Sequence, residues 1–129
     1  MRVHQYSMLC ASIISQEAAA EALENGHDAM VKMREQYERR RNFLVHHFNR
    51  MGLTCHQPQG AFYLFPSIKS TGLSSREFAL RLLEEEKVAA VPGDAFGPGG
   101  EGFIRCSYAT AMDQIEVAVK RIESFVKRL

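Results

Sequence analysis

The stretch LTCHQPQGAFYLF, residues 53–65, is where the pattern of the chain changes from helical to strand-like. After Gly52 the apolar residues follow a period of two, so Leu53–Gln57 and Ala61–Phe65 are predicted as short strands. Pro58, Gln59 and Gly60 lie between them and are typical of a hairpin connection. This stretch predicts antiparallel pairing and marks the start of a mixed domain at residue 53.

Two helices are predicted before this stretch. Small apolar residues recur every four positions between Ala11 and Leu23, and Gly26 follows where a glycine commonly ends a helix. Asp28 is suited to begin a second helix that continues to Met51. At about 1.5 Å per residue this helix is about 34 Å long, which favours a helix that connects two lobes.

Helices and strands alternate after residue 66. Ser74 and Glu77 form a capping box for a helix that runs through Glu86. Val88–Val91 and Phe103–Tyr108 are predicted strands, and an amphipathic helix ends the chain. The apolar side chains that we expect to face the core from the two helices are Phe78, Ala79, Leu82, Leu83, Ile115, Ala118, Val119, Ile122, Val126 and Leu129. This order predicts an α+β fold in which a small, mostly antiparallel sheet packs against helices, preceded by a long connecting helix.

The composition favours one soluble globular protein. The chain has 129 residues, 46% of them hydrophobic, and a net charge of +1, which argues against a nucleic-acid partner. The sequence lacks an apolar run near the roughly 20 residues of a membrane span, and the first residues do not resemble a signal peptide. Cys10, Cys55 and Cys106 suggest neither a disulfide framework nor a metal site. We therefore expect a cytoplasmic protein without a metal and without a membrane association.

A glycine-rich stretch offers a nucleotide motif that its context excludes. Gly97, Gly99 and Gly102 have the spacing of the dinucleotide fingerprint, which requires a helix directly after the glycines. Here Pro98 interrupts the motif and a predicted strand follows. We therefore expect no nucleotide at this stretch.

Arg105 is the residue that most clearly suggests a binding site. On the predicted strand it alternates to the same side as Phe103 and Ser107, and burying an arginine there is costly without a partner. One interpretation is a salt bridge within the domain. The other is an anion site, because a guanidinium binds a carboxylate through two parallel hydrogen bonds. Taken alone, the residues leave both interpretations open.

Three segments in this order carry a family resemblance. They are Gly60–Pro66 (GAFYLFP), Val88–Gly97 (VAAVPGDAFG) and Gly100–Ala109 (GEGFIRCSYA). Their combination resembles the C-terminal part of the pyridoxal-phosphate-dependent class I and II aminotransferases, of the aspartate and aromatic fold type. The resemblance implies the small domain of such an enzyme over residues 53–129 and a connecting helix over 28–52. Residues 1–27 then correspond to an interface helix and the remainder of a large domain.

The resemblance also implies roles for individual residues. The arginine of the family's strand motif binds the α-carboxylate of the substrate and corresponds to Arg105. The glycine that opens the first motif lies near the same pocket and corresponds to Gly60, where a side chain would block a ligand's approach to the backbone. The segment His4–Ala11 resembles the family's segment after the cofactor lysine, along the dimer interface.

The family's cofactor lysine has no counterpart in this sequence, nor have the residues that bind the cofactor's ring nitrogen and phosphate. We therefore expect a C-terminal part of an aminotransferase with no catalytic residue, inactive alone and with no cofactor bound. The implied parent enzyme uses pyridoxal phosphate, acts on an amino acid and a 2-oxo acid, and pairs this chain with a large domain in a homodimer. The alternatives are a module that binds a small carboxylate and an interaction module that uses the long helix.

Overall fold

The computed structural model describes residues 2–7 and 10–129. The predicted interface segment His4–Ala11 includes Met8 and Leu9, which lie outside the described residues. The chain divides into two compact units, Met1–Glu35 and Gln36–Leu129, with the boundary inside a helix. The helices are α1 (Arg2–Ser7), α2 (Ile13–Asn25), α3 (His27–Arg50), α4 (Ser75–Glu86) and α5 (Met112–Lys127), and the strands are β1 (Tyr63–Leu64), β2 (Val91–Pro92) and β3 (Ile104–Ser107).

The two predicted N-terminal helices are present. The hydroxyl of Ser12 accepts a hydrogen bond from the backbone N–H of Ser15 and so caps α2, which carries no buried residue. The long helix α3 begins at His27, so Asp28 lies within its first turn and not at the capping position before it. Gly52 follows it with a φ of +82°, a left-handed conformation that glycine adopts without the steric penalty of a Cβ.

The predicted fold class is confirmed, since three antiparallel strands form a sheet in the order β1-β3-β2. Tyr63 pairs with Ser107, and Val91 pairs with Arg105. The strand predicted at Val88–Val91 lies later in the chain, at Val91–Pro92, and the other two are shorter than predicted. Because β3 is the central strand, its side chains have neighbours on both flanks.

The predicted strand at Leu53–Gln57 is wrong, and so is the hairpin that it implied. This segment has no strand partner, and the side chain of Asn49 on α3 bonds its backbone instead. The Asn49 amide donates to the carbonyl of Cys55 at 2.9 Å and accepts from the Cys55 N–H at 3.0 Å. Leu53 and Cys55 are buried, so the period of two reflects burial of alternate residues without sheet pairing.

Helix α4 begins as predicted, with the Ser74 hydroxyl accepting from the Glu77 N–H at 3.2 Å. Leu83 was expected in the core and is 46% exposed. Lys87 ends the helix in the left-handed conformation, at a φ of +56°.

The core of the second unit lies between the sheet and the helices. Ile115, Val119 and Ile122 of α5 are buried as predicted, but Leu129 is exposed. Phe125 was not expected in the core, yet it is fully buried. Its ring packs against Phe78 of α4, with centroids 5.2 Å apart. The buried apolar side chains are Leu44, Phe48, Leu53, Cys55, Leu64, Ile68, Phe78, Ala79, Leu82, Ile104, Tyr108, Ile115, Val119, Ile122 and Phe125.

Candidate functional site

Arg105 lies on the central strand β3, where the sequence placed it. Its backbone pairs with Val91 of β2, and its neighbour Ile104 is fully buried on the opposite face. The side chain of Arg105 is half-buried on the other face. A guanidinium in this position loses part of its hydration and therefore needs compensating contacts.

Two aromatic rings contact the Arg105 guanidinium. Its Cζ atom lies 4.5 Å from the ring centroid of Tyr63 and 4.6 Å from that of Phe96. Both distances are within the range of cation–π attraction. In both contacts the guanidinium carbon lies over the face of the ring.

The sequence left open whether Arg105 forms a salt bridge within the domain. Within residues 2–7 and 10–129, Arg105 has neither a carboxylate partner nor a hydrogen-bond partner. Glu101, the acid nearest in sequence, accepts a hydrogen bond from the backbone N–H of Ser75 at 2.9 Å instead. The N–H groups of the Arg105 guanidinium therefore have no acceptor among the described residues.

Gly60 lies in the loop that leads into β1. Its φ is not in the left-handed region, and a Cβ at this position would meet nothing within 4 Å. The next residues are fixed to the end of β3, because the Tyr108 hydroxyl donates to the Ala61 carbonyl and the Tyr108 N–H donates to the Phe62 carbonyl, each at 2.9 Å. The pairing of β1 with β3 thus places Gly60 and Arg105 on neighbouring segments.

The aromatic surroundings of Arg105 were missed in the sequence. Phe65 and Phe96 are 41% and 51% exposed, and their rings meet edge to face with centroids 5.5 Å apart. Together with Tyr63 they form what we call the aromatic frame. The signal for this frame in the sequence is that its aromatic residues belong to the motifs Gly60–Pro66 and Val88–Gly97, which flank β3 in the fold.

The glycine-rich stretch shapes the loop that carries Phe96. Gly93–Phe96 and Pro98–Gly100 form two 3₁₀ turns, and strand β3 follows Gly102 where the dinucleotide motif requires a helix. The backbones of Gly93 and Gly100 lie so close that a Cβ on either residue would overlap the other's carbonyl. This close approach requires glycine at both positions.

Buried Ser75 connects this loop to the start of α4. Its hydroxyl accepts from the N–H groups of Gly102 at 2.8 Å and Phe103 at 3.2 Å, and donates to the Gly100 carbonyl at 3.3 Å. The entry to β3 is therefore held by a fully satisfied polar group, and with it the start of the strand that carries Arg105.

Cys55 and Cys106 are not reactive thiols. Burial raises the pKa of the Cys55 thiol to about 11 and that of Cys106 to about 12. Both thiols are therefore protonated at neutral pH and are poor nucleophiles. Among the described residues, there is no group of three or more side chains that could bind a metal ion together.

Helices long and apolar enough to cross a membrane are absent from the part of the chain that the structure describes.

Comparison with known proteins relates the whole of this architecture to one family. The family model for aminotransferase class I and II matches residues 1–122. The putative aminotransferase YugH of Bacillus subtilis is 53% identical over 128 residues, which are 99% of this chain and 33% of that protein. The chain therefore spans about a third of the length of such relatives.

Solved structures agree with the sequence relatives. The aromatic aminotransferase from Pyrococcus horikoshii superposes with a TM-score of 0.93 at 44% identity, covering 98% of this chain and 34% of that one. The aspartate aminotransferase from Thermus thermophilus, solved with maleate, gives a TM-score of 0.84 at 36% identity over 95% of this chain and 32% of that one. By its sequence and its fold, the chain belongs to the class I and II aminotransferase family.

Proposed function

We propose that this chain provides the substrate-carboxylate site of an enzyme that transfers an amino group from an amino acid to a 2-oxo acid. The observation that carries the proposal is Arg105, a half-buried arginine that lies over two aromatic rings and has no acid partner among the described residues. The family membership supplies the reaction class. Arg105 is a binding residue in this proposal, and no catalytic residue is assigned.

The chemistry of the reaction suits a single carboxylate site. An amino acid and its 2-oxo acid both carry a carboxylate bonded directly to the reacting carbon, so one guanidinium can bind the substrates of both half-reactions. Two parallel charge-assisted hydrogen bonds would fix the position and the plane of that carboxylate. The reacting carbon is thereby oriented, which lowers the entropic part of the barrier.

Gly60 is proposed to let the substrate approach the backbone. Neither its conformation nor packing within the described residues requires a glycine there. The open space above it suits a ligand that comes closer than a side chain would allow.

In the family's enzymes pyridoxal phosphate supplies the electron sink that stabilises the substrate carbanion. The residues of this chain do not fit that group. All five lysines are exposed, and among the described residues none of them contacts the aromatic frame or Arg105. These lysines are Lys32, Lys69, Lys87, Lys120 and Lys127. We therefore assign no step through the cofactor to this chain and propose that the chain alone neither binds it nor transaminates.

The remaining residues of the proposed active site belong to a large domain, and the enzyme is proposed to work as a cytoplasmic homodimer. The large domain is supported by the length of the relatives, which is about three times that of this chain. The homodimer is supported by α2, a helix with no buried residue, which exposes Ile13, Ile14 and Leu23. Exposed apolar helices of this kind mark surfaces of association.

Titration of the 129-residue chain with maleate, followed by NMR, tests the carboxylate site. We expect shifts centred on Arg105, and at least about tenfold weaker binding in Arg105→Gln, since two hydrogen bonds to a charged group are lost. Arg76→Gln is the matched control, because the Arg76 side chain is 75% exposed and lies on α4. Binding that is equal in wild type and Arg105→Gln would refute the proposal.

A further inference from the structure

We propose that Phe96 and Tyr63 are positioning residues, which hold the Arg105 guanidinium in one plane so that its N–H groups face an incoming carboxylate. This inference rests on the proposed carboxylate site and extends it to residues that do not touch the substrate's carboxylate. It assigns a purpose to two rings that the core does not need, since Tyr63 is half-buried and Phe96 is 51% exposed.

The two rings reach Arg105 from opposite flanks of the central strand. Tyr63 lies on β1, opposite Ser107, and so shares a face of the sheet with Arg105 two residues away. Phe96 ends the 3₁₀ turn that follows β2 on the other flank. The guanidinium carbon is nearly equidistant from the ring centroids, at 4.5 and 4.6 Å. Motion of the guanidinium toward either flank is therefore opposed by a ring.

Phe96 is itself fixed in place. Its ring meets Phe65 edge to face, which joins the two flanks of the sheet across Arg105. The turn that carries Phe96 begins at Gly93, whose N–H donates to the Phe103 carbonyl at 2.8 Å and whose backbone lies against Gly100. A ring on so constrained a turn provides a stable surface for a long side chain.

Such support matters because an arginine has several rotatable bonds and loses rotamer freedom when it binds a ligand. The two rings restrict the side chain before binding, and the N–H groups have no hydrogen-bond acceptor among the described residues. Part of the entropic cost is therefore met in the free protein, which is the general origin of affinity gained by preorganisation.

NMR of the side-chain Nε–Hε group of Arg105 in the 129-residue chain tests the restraint directly. We expect the Arg105 signals in the wild type to be shifted upfield by the rings, with the relaxation of a rigid group. In Phe96→Leu the shift should shrink and the group should become mobile, and Phe96→Tyr should restore both. Phe62→Leu is the matched control: Phe62 is 39% exposed and contacts Tyr63 with centroids 4.6 Å apart, without contacting Arg105.

Equal Arg105 spectra in wild type and Phe96→Leu would overturn the inference. A thermal midpoint in Phe96→Leu close to the wild type, with a mobile Arg105, would support it, since a merely structural role predicts a change in stability alone. Tyr63→Leu provides a second variant from the opposite flank and should mobilise Arg105 in the same way.

Maleate affinity separates this inference from the proposed function. We expect Phe96→Leu to bind about two- to fivefold more weakly, and the double variant with Tyr63→Leu about five- to thirtyfold. If Phe96→Leu makes Arg105 mobile but leaves maleate affinity unchanged, while Arg105→Gln still weakens binding, the positioning inference is wrong and the carboxylate site stands. If Arg105→Gln binds as the wild type does, the proposed function is wrong, whereas a mobile Arg105 in Phe96→Leu still supports restraint by the rings.

Discussion

The replacement Asn49→Ala tests the account of the segment that follows α3. Asn49 lies on the last turns of the helix, and its amide makes the hydrogen bonds that a neighbouring strand would otherwise make. The N–H and carbonyl of Cys55 bond to this one side chain at 3.0 and 2.9 Å, and Cys55 is only 5% exposed. Alanine would leave both backbone groups without their partner in a place that water reaches poorly.

The magnitude follows from the count of bonds that are lost. Two hydrogen bonds at about 1 kcal/mol each, with some added cost for unsatisfied groups, give about 2–3 kcal/mol of lost stability. The third bond of Asn49, to the Val45 carbonyl at 2.8 Å, lies within the helix and adds little. For a unit of this size, about 2–3 kcal/mol corresponds to a fall in Tm of about 8–20 °C.

Thermal unfolding followed by circular dichroism measures this change, with urea unfolding as an independent estimate. Asn42→Ala is the control, because Asn42 is an asparagine on the same helix that is exposed like Asn49, but its partners, Arg41 and Gln57, are side chains near the surface and not buried backbone. We expect the control to lose less than about 0.5 kcal/mol. Similar unfolding of the two variants would refute the view that Asn49 replaces a strand for this segment.

Three further predictions concern the loop, the helix end and the thiols. Gly93→Ala should destabilise the chain by about 2–3 kcal/mol because its Cβ overlaps the backbone of the facing turn, whereas Gly99→Ala, with nothing within 4 Å, should be tolerated in the same melting experiment. Lys87→Gly should raise stability by about 0.5–1 kcal/mol, since its φ of +56° strains any residue with a Cβ; a lower Tm would count against this. Cys55 and Cys106 should react with a disulfide reagent only after denaturation at neutral pH. Because burial raises their pKa from 9.0 to about 11 and about 12, stability should fall as the pH rises above about 9, and a flat profile between pH 9 and 11 would contradict the burial of these thiols.

The helices were predictable because their signals are local. A cap such as Ser74 acts on an N–H three residues away, and the glycine at 52 acts on the turn directly before it. Errors arose where a distant element decides the outcome. Phe125 is buried because Phe78 of another helix lies opposite it, and Leu83 is exposed because nothing covers that side of α4 among the described residues.

The strand error has the same origin. Alternation of apolar residues over Leu53–Gln57 indicates which side chains are buried, and two of them are. Whether the backbone also pairs with a strand depends on which hydrogen-bonding groups lie beside it in the folded chain. Here the amide of Asn49, six residues from Cys55, bonds the N–H and the carbonyl of Cys55, and the neighbouring Thr54 carbonyl accepts a single bond from the Ser67 N–H at 2.8 Å, so no ladder of paired strands forms.

For the candidate site, the period of two in the sequence sufficed to predict that Arg105 lies on a strand. It also sufficed to predict the face that Arg105 shares with its alternate neighbours. The motifs around it sufficed to predict the family. The absence of an acid partner among the described residues and the rings of Tyr63 and Phe96 were decided by the tertiary structure alone. The reason is that these rings come from segments on either flank of β3, about 40 and 10 residues away along the chain, and only the antiparallel order β1-β3-β2 brings both flanks to one guanidinium.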